Sequence, residues 1–261
     1  MNRKRKIKFI VFSLLLSAVI ALSGFMVWRE LTDRQKEQET FASLSELAQT
    51  KPETSLPEST KPPEADIDTV EESEPEAAHK RNIPALTEEN PDCVGWLSID
   101  GTAVDYPVMH MPDEPQRYLR LDFYGSYSAS GVPFLDGRCS LGSSNRIIYG
   151  HNMKNGTMFS SLKGYADKEY CLEHPVIEFE TAAGCESYAV FAVAAVRKDD
   201  GWYDFITAAG EVEYDRQIET ICGKALYDTG VIPVFGQQLL TLSTCYGAGK
   251  DGRLIVIAVK Q

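Results

Sequence analysis

The sequence predicts a mainly β domain, a closed barrel or a sandwich, preceded by one N-terminal transmembrane helix. Three observations carry that prediction. Short apolar or alternating runs recur at eight places with turn residues between them. An unbroken apolar stretch follows a basic N-terminal tip, and a segment rich in Pro, Glu, Ser and Thr separates that stretch from the β-rich part.

Arg3, Lys4, Arg5, Lys6 and Lys8 precede an apolar run over residues 9–28. At 1.5 Å per residue, roughly twenty helical residues span about 30 Å, the thickness of a bilayer core. The positive-inside rule makes residues 1–28 a cytoplasmic basic tip and transmembrane signal anchor, with the rest of the chain outside. Ala21-Leu22-Ser23 offers the small residues of a cleavage site. The run continues past it through Phe25, Met26, Val27 and Trp28, which favours an uncleaved anchor. No second apolar span lies near Gln261, so a single-pass membrane protein with an extracytoplasmic domain is expected.

Residues 29–50 are rich in Glu, Gln, Leu and Ala, and Leu31, Phe41, Leu44 and Leu47 form a partial helical stripe. This predicts a juxtamembrane helix. Residues 51–80 hold too few large apolar side chains to bury a core and read as an acidic, Pro-rich linker. Much of the net charge of -12 sits there, so the charge is not read as a binding surface. Nucleic acid is excluded as a partner for so acidic an extracytoplasmic chain. Residues 81–261 suffice for one domain with a proper core.

Strands are predicted at 95–99, 103–109, 132–135, 146–151, 176–180, 187–196, 238–244 and 253–260. Helical pattern appears at 158–162 and over 212–226, where Ile218, Ile221 and Leu226 share a face. The six cysteines are even in number, which in an exported protein suggests disulfides. They are scattered singly, however, with no Cys-x-x-Cys spacing for zinc. With Cys245 reserved for chemistry, the others read mostly as small buried hydrophobes.

The chemistry concentrates at two strands. The run 239–244 is apolar and Thr-rich and ends by presenting Cys245; a Gly-rich loop, 246–252, follows; Arg253 opens the last strand. Two neighbouring strands would then hold a thiol and a guanidinium at one rim of the sheet. The thiol can attack a carbonyl carbon and the guanidinium can stabilise the resulting oxyanion. His151 closes an earlier strand among Asn and Gly residues, placed to protonate a leaving amine and deprotonate an incoming one. His110 is its competitor; His79 falls in the linker and His174 in a turn before Pro175, and these three read as surface residues.

Thr241-Leu242-Ser243-Thr244-Cys245 with Arg253, and Tyr149-Gly150-His151-Asn152 upstream, resemble the sortase signature. The resemblance runs from about Leu86 to the C-terminus. It includes Asn90-Pro91-Asp92-Cys93-Val94-Gly95-Trp96-Leu97, Asp105-Tyr106-Pro107-Val108-Met109 and Leu121-Asp122-Phe123-Tyr124-Gly125. The stretch from His151 to Phe159, with the long helical insertion before the cysteine strand, is similar to class B. The resemblance implies an eight-stranded sortase-type β-barrel with accessory helices and a catalytic set of Cys245, His151 and Arg253. Ser243 and Thr244 would contact substrate backbone, Tyr149 and Leu119 would line the groove, and no cofactor or metal is implied.

By the same resemblance, the implied activity is that of a membrane-anchored cysteine transpeptidase. It would cleave the C-terminal sorting signal of an exported protein after Thr and join the product, through a thioester, to an amine of peptidoglycan precursor. Residues 29–50 would correspond to the helix that class B sortases pack against the barrel, or to a solvated juxtamembrane helix. The region of Trp202 and Tyr203 would, by the same resemblance, correspond to the substrate-gating loop before the long helix. One departure stands out: class B relatives often carry a polar residue three positions before Tyr118-Leu119, and here it is Pro115. Other readings are a cysteine hydrolase, an L,D-transpeptidase (whose Ser-His-Gly-Cys segment is absent), or a non-enzymatic wall-binding module with Cys245 in its core.

Overall fold

The structure is a computed structural model and describes residues 3–49, 80–247 and 249–261. Two compact units divide the chain at Ser45/Glu46. The expected linker, 51–80, lies outside the described residues except for Lys80.

The first unit is helical. Helix α1 runs without interruption over Arg3–Gln49, through the residues expected as a membrane span and those expected as a juxtamembrane helix. No proline interrupts it, and the Glu, Gln, Ala and Leu after Trp28 are strong helix formers, so nothing local ends the helix at the expected boundary. Among the described residues it is the one helix long and apolar enough to cross a membrane. Leu14, Leu15, Ile20, Leu22, Phe25, Val27 and Trp28 are each more than half exposed.

In the second unit, eight strands close into a barrel in the order β1-β2-β3-β4-β7-β8-β6-β5. They are β1 (Cys93–Ser98), β2 (Asp105–Met109), β3 (Phe134–Leu135), β4 (Asn145–Tyr149), β5 (Val176–Thr181), β6 (Gly184–Arg197), β7 (Leu239–Cys245) and β8 (Gly252–Lys260). Each overlaps a strand expected from the apolar pattern. The apolar pattern alone allows a barrel or a sandwich; the barrel that the resemblance implies is the one realised, and closure removes the sheet edges that would otherwise present unpaired backbone. Val108, Ile148, Phe179, Val193, Leu240, Leu242 and Val256 fill the core.

The buried polar groups around Asn145 and Arg146 are satisfied internally. Thr241 Oγ1 donates to Asn145 Oδ1 at 2.8 Å, and the Asn145 amide donates to the Phe205 carbonyl at 2.9 Å. Buried Arg146 donates to Glu186 at 2.5 Å and to the Tyr188 hydroxyl at 2.9 Å.

The accessory helices differ more from expectation. Helix α2 (Ile83–Glu89) was not anticipated, although Asn82 caps it through Ala85 N–H and Pro84 sits in its first turn. A 3-10 stretch, Phe159–Ala166, buries Phe159, Leu162 and Tyr165, and a short helix α3 (Lys168–Glu173) follows. Helix α4 (Glu211–Cys222) stops at Gly223, short of the expected end. Ile218 and Ile221 face the core as expected; Leu226 lies past the helix and is exposed.

Two surface assignments also need correction. His110 is half-buried just past the end of β2, with its Nε2 enclosed and without a hydrogen-bond partner among the described residues. His174 is half-buried against the Tyr170 ring and bonds the Asp100 carbonyl through Nδ1 at 2.8 Å. All six cysteines are free thiols: Cys93, Cys139 and Cys171 are buried, Cys185 is half-buried, and Cys222 and Cys245 are exposed.

Candidate active site

Strand β7 is buried along its length until Cys245, which emerges exposed at its end. Its antiparallel register with β8 sets Cys245 directly opposite Arg253. On its other side β7 runs parallel to β4, with Ser243 opposite Tyr149. That pairing delivers the chain leaving β4, Gly150-His151-Asn152, to the end of β7. Three hydrogen bonds hold it there: Gly150 N–H to the Ser243 carbonyl (3.1 Å), Thr244 Oγ1 to the Gly150 carbonyl (2.8 Å), and the Asn152 amide to the Cys245 carbonyl (2.8 Å). Gly150 has no space for a Cβ, because the buried Phe159 ring packs against its α-carbon.

A cleft of about 800 Å³ opens over these strand ends. Cys245, His151 and Arg253 line it together with Ser243, Thr244, Tyr149 and Leu119, so the structure brings all seven expected site residues to one place. A second cavity of about 630 Å³, near Ser144, Tyr214 and Gln238, is lined by neither a thiol nor an imidazole.

The imidazole of His151 is oriented by the Leu119 main chain, its Nε2 lying 3.0 Å from the Leu119 carbonyl. A carbonyl only accepts, so Nε2 carries the hydrogen, and in the neutral ring the lone pair is on Nδ1. Gly131, at φ +59°, lies against the Tyr118 and Leu119 carbonyls where a side chain would not fit. Burial pushes the His151 pKa below its ordinary value; the bond to Leu119 works the other way, and nearby Arg120 adds to the depression. His151 is therefore neutral near pH 7.

Arg253 donates from Nη1 to the Lys250 and Gly252 carbonyls at 3.0 and 2.8 Å. Its Nε and Nη2 have no partner among the described residues. Gly252 in turn approaches the Tyr246 carbonyl too closely for any larger residue, which narrows the 246–252 loop at its base.

The hydroxyls of the other expected residues are engaged inside the protein. Thr244 donates to Gly150, and Ser243 Oγ lies 2.7 Å from the Tyr203 hydroxyl. The Tyr149 hydroxyl donates to Asp136 at 2.9 Å, and its ring stacks near Tyr203 with centroids 6.1 Å apart. Sequence reasoning missed Asp136 and Arg138 altogether, although an Asp-Gly-Arg step directly after an apolar strand was a visible signal.

A sortase-domain family model matches residues 97–261. The chain belongs to the sortase family. Sortase B of Listeria monocytogenes is 32% identical over 177 residues, covering 66% of this chain and 70% of that protein. The crystal structure of sortase B from B. anthracis in complex with AAEK1 superposes with a TM-score of 0.71 at 26% identity, covering 88% of this chain and 98% of that one. A Staphylococcus aureus sortase B–substrate complex gives a TM-score of 0.64 at 27% identity, covering 69% and 84%. This sortase is of class B, with the cysteine transpeptidase activity and the closed barrel of that class.

Proposed function

We propose that this class B sortase is held in the membrane by residues 1–28. It cleaves the C-terminal sorting signal of exported proteins after Thr and transfers them to an amine of peptidoglycan precursor. Residues 29–50 form the juxtamembrane helix, 51–80 the linker and 81–261 the catalytic domain. The observation that carries the reading is the shared cleft, in which a thiol stands opposite a guanidinium on adjacent strands beside a neutral imidazole. The apolar side chains exposed around α1 support the anchor, since such a surface is unfavourable in water.

In this reading the Cys245 thiol passes its proton to His151 as sulfur attacks the scissile carbonyl carbon. The oxyanion that forms is stabilised by the unpartnered nitrogens of Arg253. Collapse expels the amine, which takes the proton from His151, and leaves a thioester on Cys245. An incoming amine attacks that thioester, loses its proton to His151, and the thiolate departs to be reprotonated. Nδ1 of His151 is the shuttling atom, because Nε2–H is committed to Leu119. Tyr149 and Leu119 flank the substrate, and Ser243 and Thr244 border it beside the nucleophile.

Hydroxylamine trapping tests the reading. Peptides with Pro and Thr fixed at the family's positions should give a hydroxamate ending at Thr, whereas a hydrolase gives only free acid. Cys245→Ala should abolish both cleavage and transfer without loss of fold, since the exposed thiol contributes little packing; turnover above background in that variant rejects the mechanism.

A further inference from the structure

Asp136-Gly137-Arg138 leaves β3 and lies along the same cleft. Asp136 is 8% exposed, yet its carboxylate is fully partnered. Arg138 donates to it as a fork, Nε to Oδ1 and Nη2 to Oδ2, both at 2.9 Å, while the Tyr149 hydroxyl donates to Oδ2. Burial pushes the carboxyl pKa up, but the Arg138 and Tyr149 bonds outweigh it and hold the group below its ordinary range.

The same Nη2 of Arg138 reaches across the cleft wall to the Tyr203 carbonyl at 2.8 Å, on the 3-10 turn Gly201–Asp204. Tyr203 then meets Ser243 through its hydroxyl, two residues before Cys245. On the opposite side, Gly137 packs so closely on the loop at Pro112 and Pro115 that a Cβ would lie 2.8 Å from that of Pro115. One short segment therefore ties together β4, β7, the Gly201–Asp204 turn and the loop leading to Leu119. Among the described residues, neither side chain bonds to Cys245, His151 or Arg253.

We propose that Asp136 and Arg138 are positioning residues for the transpeptidation. Their ion pair clamps the Gly201–Asp204 turn so that Tyr203 holds the Ser243 end of β7 and the Tyr149 ring in the geometry that receives the acyl donor. A guanidinium suits the task because its rigid fork serves a carboxylate and a carbonyl at once, which an ammonium cannot do with the same geometry. The inference rests on the thioester reading above.

The test uses the full chain in detergent. Hydroxamate formation gives kcat/KM with the best peptide from the trapping assay. Alkylation of Cys245 by iodoacetamide, read by mass spectrometry of the Cys245 peptide, gives the reactivity of the thiol without a bound peptide. Arg138→Lys and Asp136→Asn should each lower kcat/KM by about 10- to 100-fold, the scale expected of a misplaced cleft wall. Alkylation rates should stay within about threefold of wild type and melting temperatures within a few degrees, because the thiol and the core are untouched. In a Tyr203→Phe background, Arg138→Lys should cost less than about fivefold, since the link it acts through is already cut.

An undiminished loss in that background overturns the proposal, as does a parallel fall in alkylation, unchanged kcat/KM, or loss of fold in both variants. If the wild-type chain alkylates but forms no hydroxamate, the thioester reading itself fails and the clamp falls with it. A wild type that forms hydroxamate beside unaffected variants rejects the clamp alone.

Discussion

Arg253 is anchored to its own loop before it can serve a substrate. One nitrogen is committed to the Lys250 and Gly252 carbonyls, which leaves two nitrogens, Nε and Nη2, for the cleft. A lysine has a single nitrogen and cannot brace the loop while presenting a fixed fork. Arg253→Lys should therefore lose about 100- to 1000-fold, on the order of 3–4 kcal/mol, chiefly in kcat, because the oxyanion exists only near the transition state. Retention of more than about a third of wild-type kcat/KM, a loss below roughly 0.7 kcal/mol, would exclude it as the oxyanion donor. His151 supplies a pH prediction at the same scale. Its folded pKa is depressed, chiefly by burial, so the unfolded chain binds the proton more readily. The contribution of His151 to stability is thus level above about pH 6.5 and declines as pH falls from there toward the folded pKa. The acid limb of kcat/KM should lie below about pH 6.5 for the same reason, and NMR titration of the ring should give the matching value. A limb or a ring titration above that value contradicts the burial argument.

At the scale of elements, the site is a consequence of two registers. Antiparallel β7–β8 pairing puts Cys245 opposite Arg253, and parallel β4–β7 pairing brings His151 to the same rim. A slip of one residue in either would turn the side chain to the other face of the barrel. Gly150 is where this arrangement is least tolerant, since the buried Phe159 ring fills the space of its missing side chain. Gly150→Ala should destabilise the barrel by about 1–3 kcal/mol through overpacking. For a domain of this size that lowers Tm by about 2–4 °C per kcal/mol, read by thermal denaturation of the full chain in detergent. Because His151 is the next residue, kcat should fall as well. An unshifted Tm would mean that Phe159 yields to the methyl group.

At the scale of the whole molecule, the composition of 51–80 and the basic residues at the start of α1 lead to a topological prediction. Protease added to intact, wall-stripped cells should cut within 51–80 and release a soluble fragment close to residues 81–261 in size. Complete protection of the catalytic domain would invert the proposed orientation. Immunoblotting with an antibody against the barrel distinguishes the outcomes.

All eight strands and the thiol–guanidinium neighbourhood were legible in the sequence, because apolar alternation and turn residues are local signals and Cys245 and Arg253 flank one short loop. Helix α2 was legible in principle, in Asn82 and Pro84, but it is too short for periodicity to reveal. The bond from His151 to the Leu119 carbonyl, the half-burial of His110 and the reach of Arg138 to Tyr203 were decided only by tertiary structure. Each depends on contact between residues far apart in the chain: His151 and Leu119 are 32 positions apart, and Arg138 and Tyr203 are 65 apart. Local pattern determines which residues form strands, whereas the closure of those strands determines which distant groups can meet.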